Sequence, residues 1–210
     1  MENDRQQLEA LQDIRKMMKD SSKFISLSGL SGVFAGIYAL IGAWLGQQVL
    51  GRSSDILVNR YTEAVNYYDL MLDCIGICLG VLVLSIATAL FLTARKAKKH
   101  NRSLFDHSSK NVFWSMSIPL FTGGVFCLLL LYHGYIILVC PAMLLFYGLA
   151  LVSSSKYTES DIRYLGYLEI ALGLLAGFYT GKGLLFWALG FGVLHIIYGF
   201  ILWFKYDRQS

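Results

Sequence analysis

The chain has 210 residues, 56% hydrophobic and 15% charged, with a mean hydropathy of +0.54. A soluble domain carries about 25% charged and about 45–50% apolar residues, so this composition excludes an ordinary soluble domain and points to one compact, all-α membrane domain. The net charge of +4 does not suggest a nucleic-acid partner, because the basic residues gather beside the ends of apolar stretches.

Residues 1–23 are polar, with five acids and five bases. No short apolar core there precedes a small-residue cleavage site, so the first hydrophobic stretch reads as an uncleaved anchor. Leu8, Leu11, Ile14 and Met18 recur at three- and four-residue spacing, which predicts an amphipathic helix over 2–20. Arg15, Lys16, Lys19 and Lys23 make its membrane-proximal end basic. The helix is a solvated extension of the first span, an in-plane helix on the membrane surface, or a docking site for a membrane or cytoplasmic protein partner.

Span 1 is expected over 24–50. Ser28, Gly32 and Gly36 form a small-residue rail in it, which lets helix backbones approach closely. Residues 51–73 read as the one sizeable external segment, with Asp55, Glu63, Asp69 and Asp73 among interfacial tyrosines. Span 2 follows over 74–94, with Gly76 and Gly80 four residues apart. Cys74, Cys78, Cys127 and Cys140 all fall in spans and read as small apolar residues rather than as a metal centre. A basic connector holding Arg95, Lys96, Lys98 and Lys99 leads to span 3.

Residues 111–155 carry no Asp, Glu, Lys or Arg. As one helix they would be about 67 Å long, against a hydrocarbon core of about 30 Å, so the segment must fold back. Tyr132-His133-Gly134 is the natural turn, giving span 3 over 112–131 and span 4 over 135–152, with Pro119 and Pro141 expected to bend them or loosen a turn. The same reasoning puts span 5 over 164–179 and span 6 over 184–204 around Thr180-Gly181-Lys182-Gly183, with a short tail at 205–210. Phe146-Tyr147-Gly148 in span 4 is echoed by Ile197-Tyr198-Gly199 in span 6, a faint sign of repeated hairpins. Of the 18 Lys and Arg residues, 15 fall on the side of the zigzag that holds both termini. Basic short loops stay inside, so both termini are expected in the cytoplasm, where the basic segments meet anionic lipids of the inner leaflet.

Glu169 is the one formal charge expected inside a span. At 100° per residue it shares one face with Gly166, Gly173 and Gly177, a small-residue rail. Gly192, His195 and Gly199 share a face of span 6 by the same step. The short turn makes these two helices antiparallel neighbours, and the depths of Glu169, His195 and Tyr198 agree to within about 5 Å. Glu169 is therefore expected to bond His195 or Tyr198, directly or through water. Two roles compete: a clasp between helices, or a proton relay or cation site, the default suspicion for an intramembrane acid.

Ile14-Arg-Lys-Met-Met18, Phe24-Ile-Ser-Leu-Ser-Gly-Leu-Ser-Gly32, Asp161-Ile-Arg-Tyr-Leu-Gly166 and Phe186-Trp-Ala-Leu-Gly-Phe-Gly-Val-Leu-His-Ile-Ile-Tyr-Gly199 resemble a family of uncharacterised bacterial inner-membrane proteins. The resemblance covers nearly the whole chain and implies a bacterial inner-membrane setting, but no activity and no functional residues. The residues themselves argue against an enzyme. Motifs for zinc proteases, serine hydrolases, phosphate loops and dinucleotides are absent, and no cofactor or metal is implied. The first expectation is a binding, regulatory or scaffold membrane protein. The alternative is a small ion- or proton-coupled transporter or channel that uses Glu169.

Overall fold

A computed structural model of the chain describes residues 29–56, 63–99, 107–158 and 161–207. The expected helix over 2–20, Ser28, residues 57–62 of the external segment, residues 100–106 of the basic connector and the last three residues lie outside the described residues.

Among the described residues the chain is helical and has no strand. The helices are α1 (Gly29–Ile56), α2 (Glu63–Lys99), α3 (His107–Tyr132), α4 (Val139–Ser154) and α5 (Asp161–Phe178). A final rod runs without a break through α6 (Gly183–Trp187), a π-helical stretch (Ala188–Leu194), α7 (His195–Leu202) and a second π-helical stretch (Trp203–Asp207). Among the described residues, five helical stretches are long and apolar enough to cross a membrane: Gly29–Gly51, Tyr68–Lys98, Ser109–Tyr132, Ile136–Ser154 and Gly183–Lys205. The other long helix among the described residues, α5, has 18 residues and carries three charges, Asp161, Arg163 and Glu169.

The elements differ from expectation at several ends. α1 continues to Ile56 and α2 begins at Glu63, so much of the expected external segment is helix. Residues 63–73 contain neither Gly nor Pro and include Glu, Ala, Leu and Met, which favour the helix. At about 1.5 Å per residue, the 37 residues of α2 span about 55 Å, so α2 outruns a hydrocarbon core of about 30 Å. α3 passes through Pro119 without interruption. Pro141 is the third residue of α4, inside the first turn, where a helix has no use for the missing N–H.

Both short turns lie where the sequence put them. Gly134 has φ +80° and Gly181 φ +93°, a left-handed conformation that glycine adopts without a Cβ penalty. At the first, Tyr135 N–H donates to the Leu130 carbonyl at 2.8 Å and Gly134 N–H to the Leu131 carbonyl at 3.1 Å, the paired bonds of a Schellman cap.

Packing is inside-out. The buried centre is small or polar at many positions, including Ala39, Ala142, Ala150, Ala176, Ser31, Ser154 and Glu169. Large apolar side chains such as Trp44, Phe91, Trp114, Phe121 and Phe178 point outward. Such an exterior is unlike that of a soluble monomer and suits a bilayer.

α2 packs on α1, α1 on the final rod, the rod on α4 and α5, α5 on α4, and α4 on α3. Glycine sets the closest approaches. A β-carbon at Gly148 of α4 would stand 2.7 Å from the Gly166 carbonyl oxygen of α5, and one at Gly166 would stand 2.8 Å from the Gly148 oxygen. On the other flank, Gly29, Gly32 and Gly36 of α1 meet Gly192, Gly199 and Trp203 of the rod backbone to backbone. Both glycines of the echoed Phe-Tyr-Gly and Ile-Tyr-Gly motifs are thus points of backbone contact.

Candidate functional site

Glu169 stands at the middle of α5 with 0% of its surface exposed. The buried face of α5 is Leu165, Gly166, Glu169, Gly173 and Ala176. This is close to the expected arc, except that a β-carbon at Gly177 would meet nothing within 4 Å. Two contacts press α5 against α4 on either side of Glu169. One is the Gly148–Gly166 crossing. The other is Gly173, whose β-carbon would stand 2.8 Å from Leu145 Cγ.

The rod supplies His195, which is 7% exposed. Its Nδ1 lies 2.9 Å from the Gly190 carbonyl oxygen and 3.4 Å from Glu169 Oε1. Its Nε2 lies 2.8 Å from the Tyr147 hydroxyl of α4. A carbonyl only accepts, so Nδ1–H donates to Gly190, and in the neutral ring Nε2 accepts from the Tyr147 hydroxyl. The 3.4 Å separation brings Glu169 within ion-pair range of the ring, but the Nδ1 proton is directed at Gly190. Among the described residues neither carboxylate oxygen of Glu169 has a hydrogen-bond partner.

The π-helical stretch explains this geometry. Its hydrogen bonds join residues five apart rather than four, so Gly190 and His195 come to the same side of the rod. A β-carbon at Gly190 would strike Glu169 Oε2 and stand 2.5 Å from Leu144 Cδ2; only glycine leaves the space the carboxylate fills. Gly192, two residues on, turns instead to α1, where its β-carbon would stand 2.5 Å from Leu40 Cδ2. Trp187 and Phe191 continue the histidine's face, with centroids 5.2 Å apart, and Phe191 lies 4.9 Å from the Tyr147 ring. The Tyr147–His195 pair is therefore walled by aromatic rings, and the Glu169 carboxylate lies against Gly190.

The structure brings Glu169 and His195 together. No direct hydrogen bond joins Glu169 to Tyr198, since the carboxylate makes none among the described residues. Sequence reasoning missed Tyr147 and Gly190. Tyr147 belongs to α4, and the argument from short turns reaches only the α5–rod pair; the echo of Tyr198 was its one signal. Gly190 was missed because a uniform 100° step does not hold through a π-helical turn. Of the other expected packing positions, Gly32, Gly36, Gly166, Gly173, Gly192 and Gly199 lie at interhelical contacts, whereas Gly76 and Gly80 of α2 face open space.

An ionised carboxylate without hydrogen bonds in a medium of low dielectric costs several kcal/mol. Such a group is chemically fit to hold a proton, exchange it with the adjacent imidazole, or accept a small cation. Among the described residues no group of three or more His, Cys, Asp or Glu side chains is arranged to hold a metal ion. Comparison with known proteins finds no family model, no curated protein and no solved structure that matches this chain.

Proposed function

We propose that this chain is a non-enzymatic, six-span protein of a bacterial inner membrane, both termini cytoplasmic, whose working part is a proton-accepting site formed by Glu169, His195 and Tyr147. In this reading Glu169 takes up and releases the proton that crosses the bundle. The observation that carries it is the combination at Glu169: complete burial, no hydrogen bond to either oxygen among the described residues, and an imidazole at 3.4 Å whose far nitrogen meets a tyrosine hydroxyl. Substrate and ion sites of membrane transporters gather near mid-membrane where a helix is irregular. Glu169 is mid-helix in α5, and the π-helical stretch is the irregular partner.

Three features support α5 as the sixth span. Its 18 residues reach about 27 Å, close to the hydrocarbon thickness of about 30 Å. It is packed along its length on α4 and touches the rod. Two of its three charges, Asp161 and Arg163, sit in its first turn, where Asp161 pairs with Lys205 at 2.6 Å and Arg163 donates to Ser155 at 3.2 Å. The weight of Lys and Arg near those ends supports a cytoplasmic side there; the bacterial setting rests on the family resemblance alone.

The test is proton flux into liposomes reconstituted with the full chain, driven by a potassium-diffusion potential and read with a trapped pH dye. Wild type is expected to acidify the lumen faster than empty vesicles, and Glu169→Gln to fall to the empty-vesicle rate. Wild type indistinguishable from empty vesicles, or Glu169→Gln as fast as wild type, rejects the relay.

The second reading, a binding, regulatory or scaffold protein, is favoured by the backbone contacts at Gly148–Gly166, Gly29–Gly199 and Gly36–Gly192, which suit a rigid bundle. Glu169 is then a clasp, and partners dock through residues 2–20. Loss of a co-purifying protein on deletion of 2–20, with no proton flux in wild type, selects this reading.

A further inference from the structure

Away from Glu169, α1 and α2 together line a groove of about 660 Å³. Its wall on α2 includes Asp73, Gly76, Gly80 and Leu84, and Tyr38 and Gly42 line it from α1. The two helices touch at its floor, where a β-carbon at Gly42 would stand 2.6 Å from Val81 Cγ2. Gly76 and Gly80 hollow the wall: nothing lies within 4 Å of a β-carbon at either. Asp73 is exposed and is the one charged residue among the described residues of the lining. It lies toward the end of α2 remote from Arg95, Lys96 and Lys98, and among the described residues no salt bridge reaches it.

We propose that this groove holds one acyl chain of a phospholipid whose headgroup carries a primary ammonium, and that Asp73 pairs with that ammonium. The dimensions favour a lipid over another helix. From Asp73 to Leu84 the groove runs about 16 Å along α2 at 1.5 Å per residue, about half of a 30 Å hydrocarbon core, which is one leaflet. Just beyond Leu84, the Tyr38 hydroxyl and Thr88 Oγ1 bridge α1 and α2 at 3.2 Å and close the groove. A transmembrane helix of a second copy would need a track through both leaflets; a single chain needs one leaflet with its charged end at the headgroup level. The acid sits at that open end, so a cationic headgroup group gains a charge-assisted bond and a purely anionic headgroup is repelled.

The experiment is native mass spectrometry of the full chain in detergent with equal amounts of phosphatidylethanolamine and phosphatidylglycerol of matched acyl chains. Wild type is expected to retain one phosphatidylethanolamine several-fold over phosphatidylglycerol. Asp73→Asn is expected to bring the two to parity. Gly80→Phe, which fills the groove where a side chain meets nothing, is expected to lose the bound lipid while circular dichroism stays unchanged. Equal retention of the two lipids by wild type, or a preference that survives Asp73→Asn, overturns the proposal. So does a wild-type dimer without lipid that Gly80→Phe converts to monomer, since the groove then receives a second copy.

Discussion

Adding a methyl group at Gly148 and at Gly177 should move stability in opposite directions. Both glycines lie in helices of the same bundle. At Gly148 the new β-carbon would stand 2.7 Å from the Gly166 carbonyl oxygen and 2.9 Å from the Ile170 backbone nitrogen. Those are main-chain atoms of α5, so no side chain can rotate away, and α4 and α5 must separate by several tenths of an ångström. Overpacking of this kind costs about 1–3 kcal/mol, against a gain of at most about 1 kcal/mol in helix propensity for Gly→Ala. The net is a loss of up to about 2 kcal/mol, which at about 2–4 °C per kcal/mol for a chain of this size lowers Tm by up to about 8 °C. At Gly177 a β-carbon meets nothing within 4 Å, so only the propensity gain remains and Tm rises by a few degrees. Thermal unfolding in detergent, followed by circular dichroism on both variants and wild type, reads the two shifts. Shifts of the same sign in Gly148→Ala and Gly177→Ala would refute the claim that the α4–α5 contact is set by backbone proximity.

Glu169→Gln keeps the side-chain shape and breaks no hydrogen bond formed among the described residues, so its Tm should stay within a few degrees of wild type; a collapse of the fold in this variant would make the carboxylate a structural clasp. Tyr147→Phe removes the 2.8 Å bond to His195, worth about 0.6 kcal/mol on average for a polar contact between membrane helices; a small drop in Tm with a slower proton flux is expected, and unchanged flux removes Tyr147 from the relay. Gly134→Ala meets no atom within 4 Å but holds φ +80°, so its cost is the left-handed backbone alone, about 1–2 kcal/mol, measurable as a lowered Tm that Gly134→Asn partly restores. Lys205→Gln removes an ion pair whose lysine side chain is 53% exposed, and a change of at most about 1 kcal/mol is expected, vanishing at high salt.

The features legible in the sequence are those that depend on local rules. A charge-free run too long for one span forces a turn, and Tyr132-His133-Gly134 supplies it because Gly134 accepts the left-handed backbone. A lone glutamate among glycines must face inward, and it does. The partner at 3.4 Å was reachable because two helices joined by four residues are neighbours. Tyr147 was not, because nothing in a hydropathy pattern says that α4 lies across α5 at Gly148 and Gly166. Gly76 and Gly80 look the same in sequence as Gly32 and Gly36, yet one pair faces open space and the other a helix. Small-residue spacing permits a close approach without naming what approaches.

The wide turn over Ala188–Leu194 also acts as a phase shifter. A uniform α-helix would commit one continuous stripe to a single neighbour. Closing a turn over five residues lets Gly192 look to α1 while Gly190 and His195 look to α5, so one rod serves as the common wall of two differently oriented halves. Tightening that turn to an ordinary α-helical one, with every residue kept, would do more than regularise a few hydrogen bonds. It would rotate everything beyond the turn by about 100° relative to everything before it, and the rod would then fit one half of the molecule or the other, but not both.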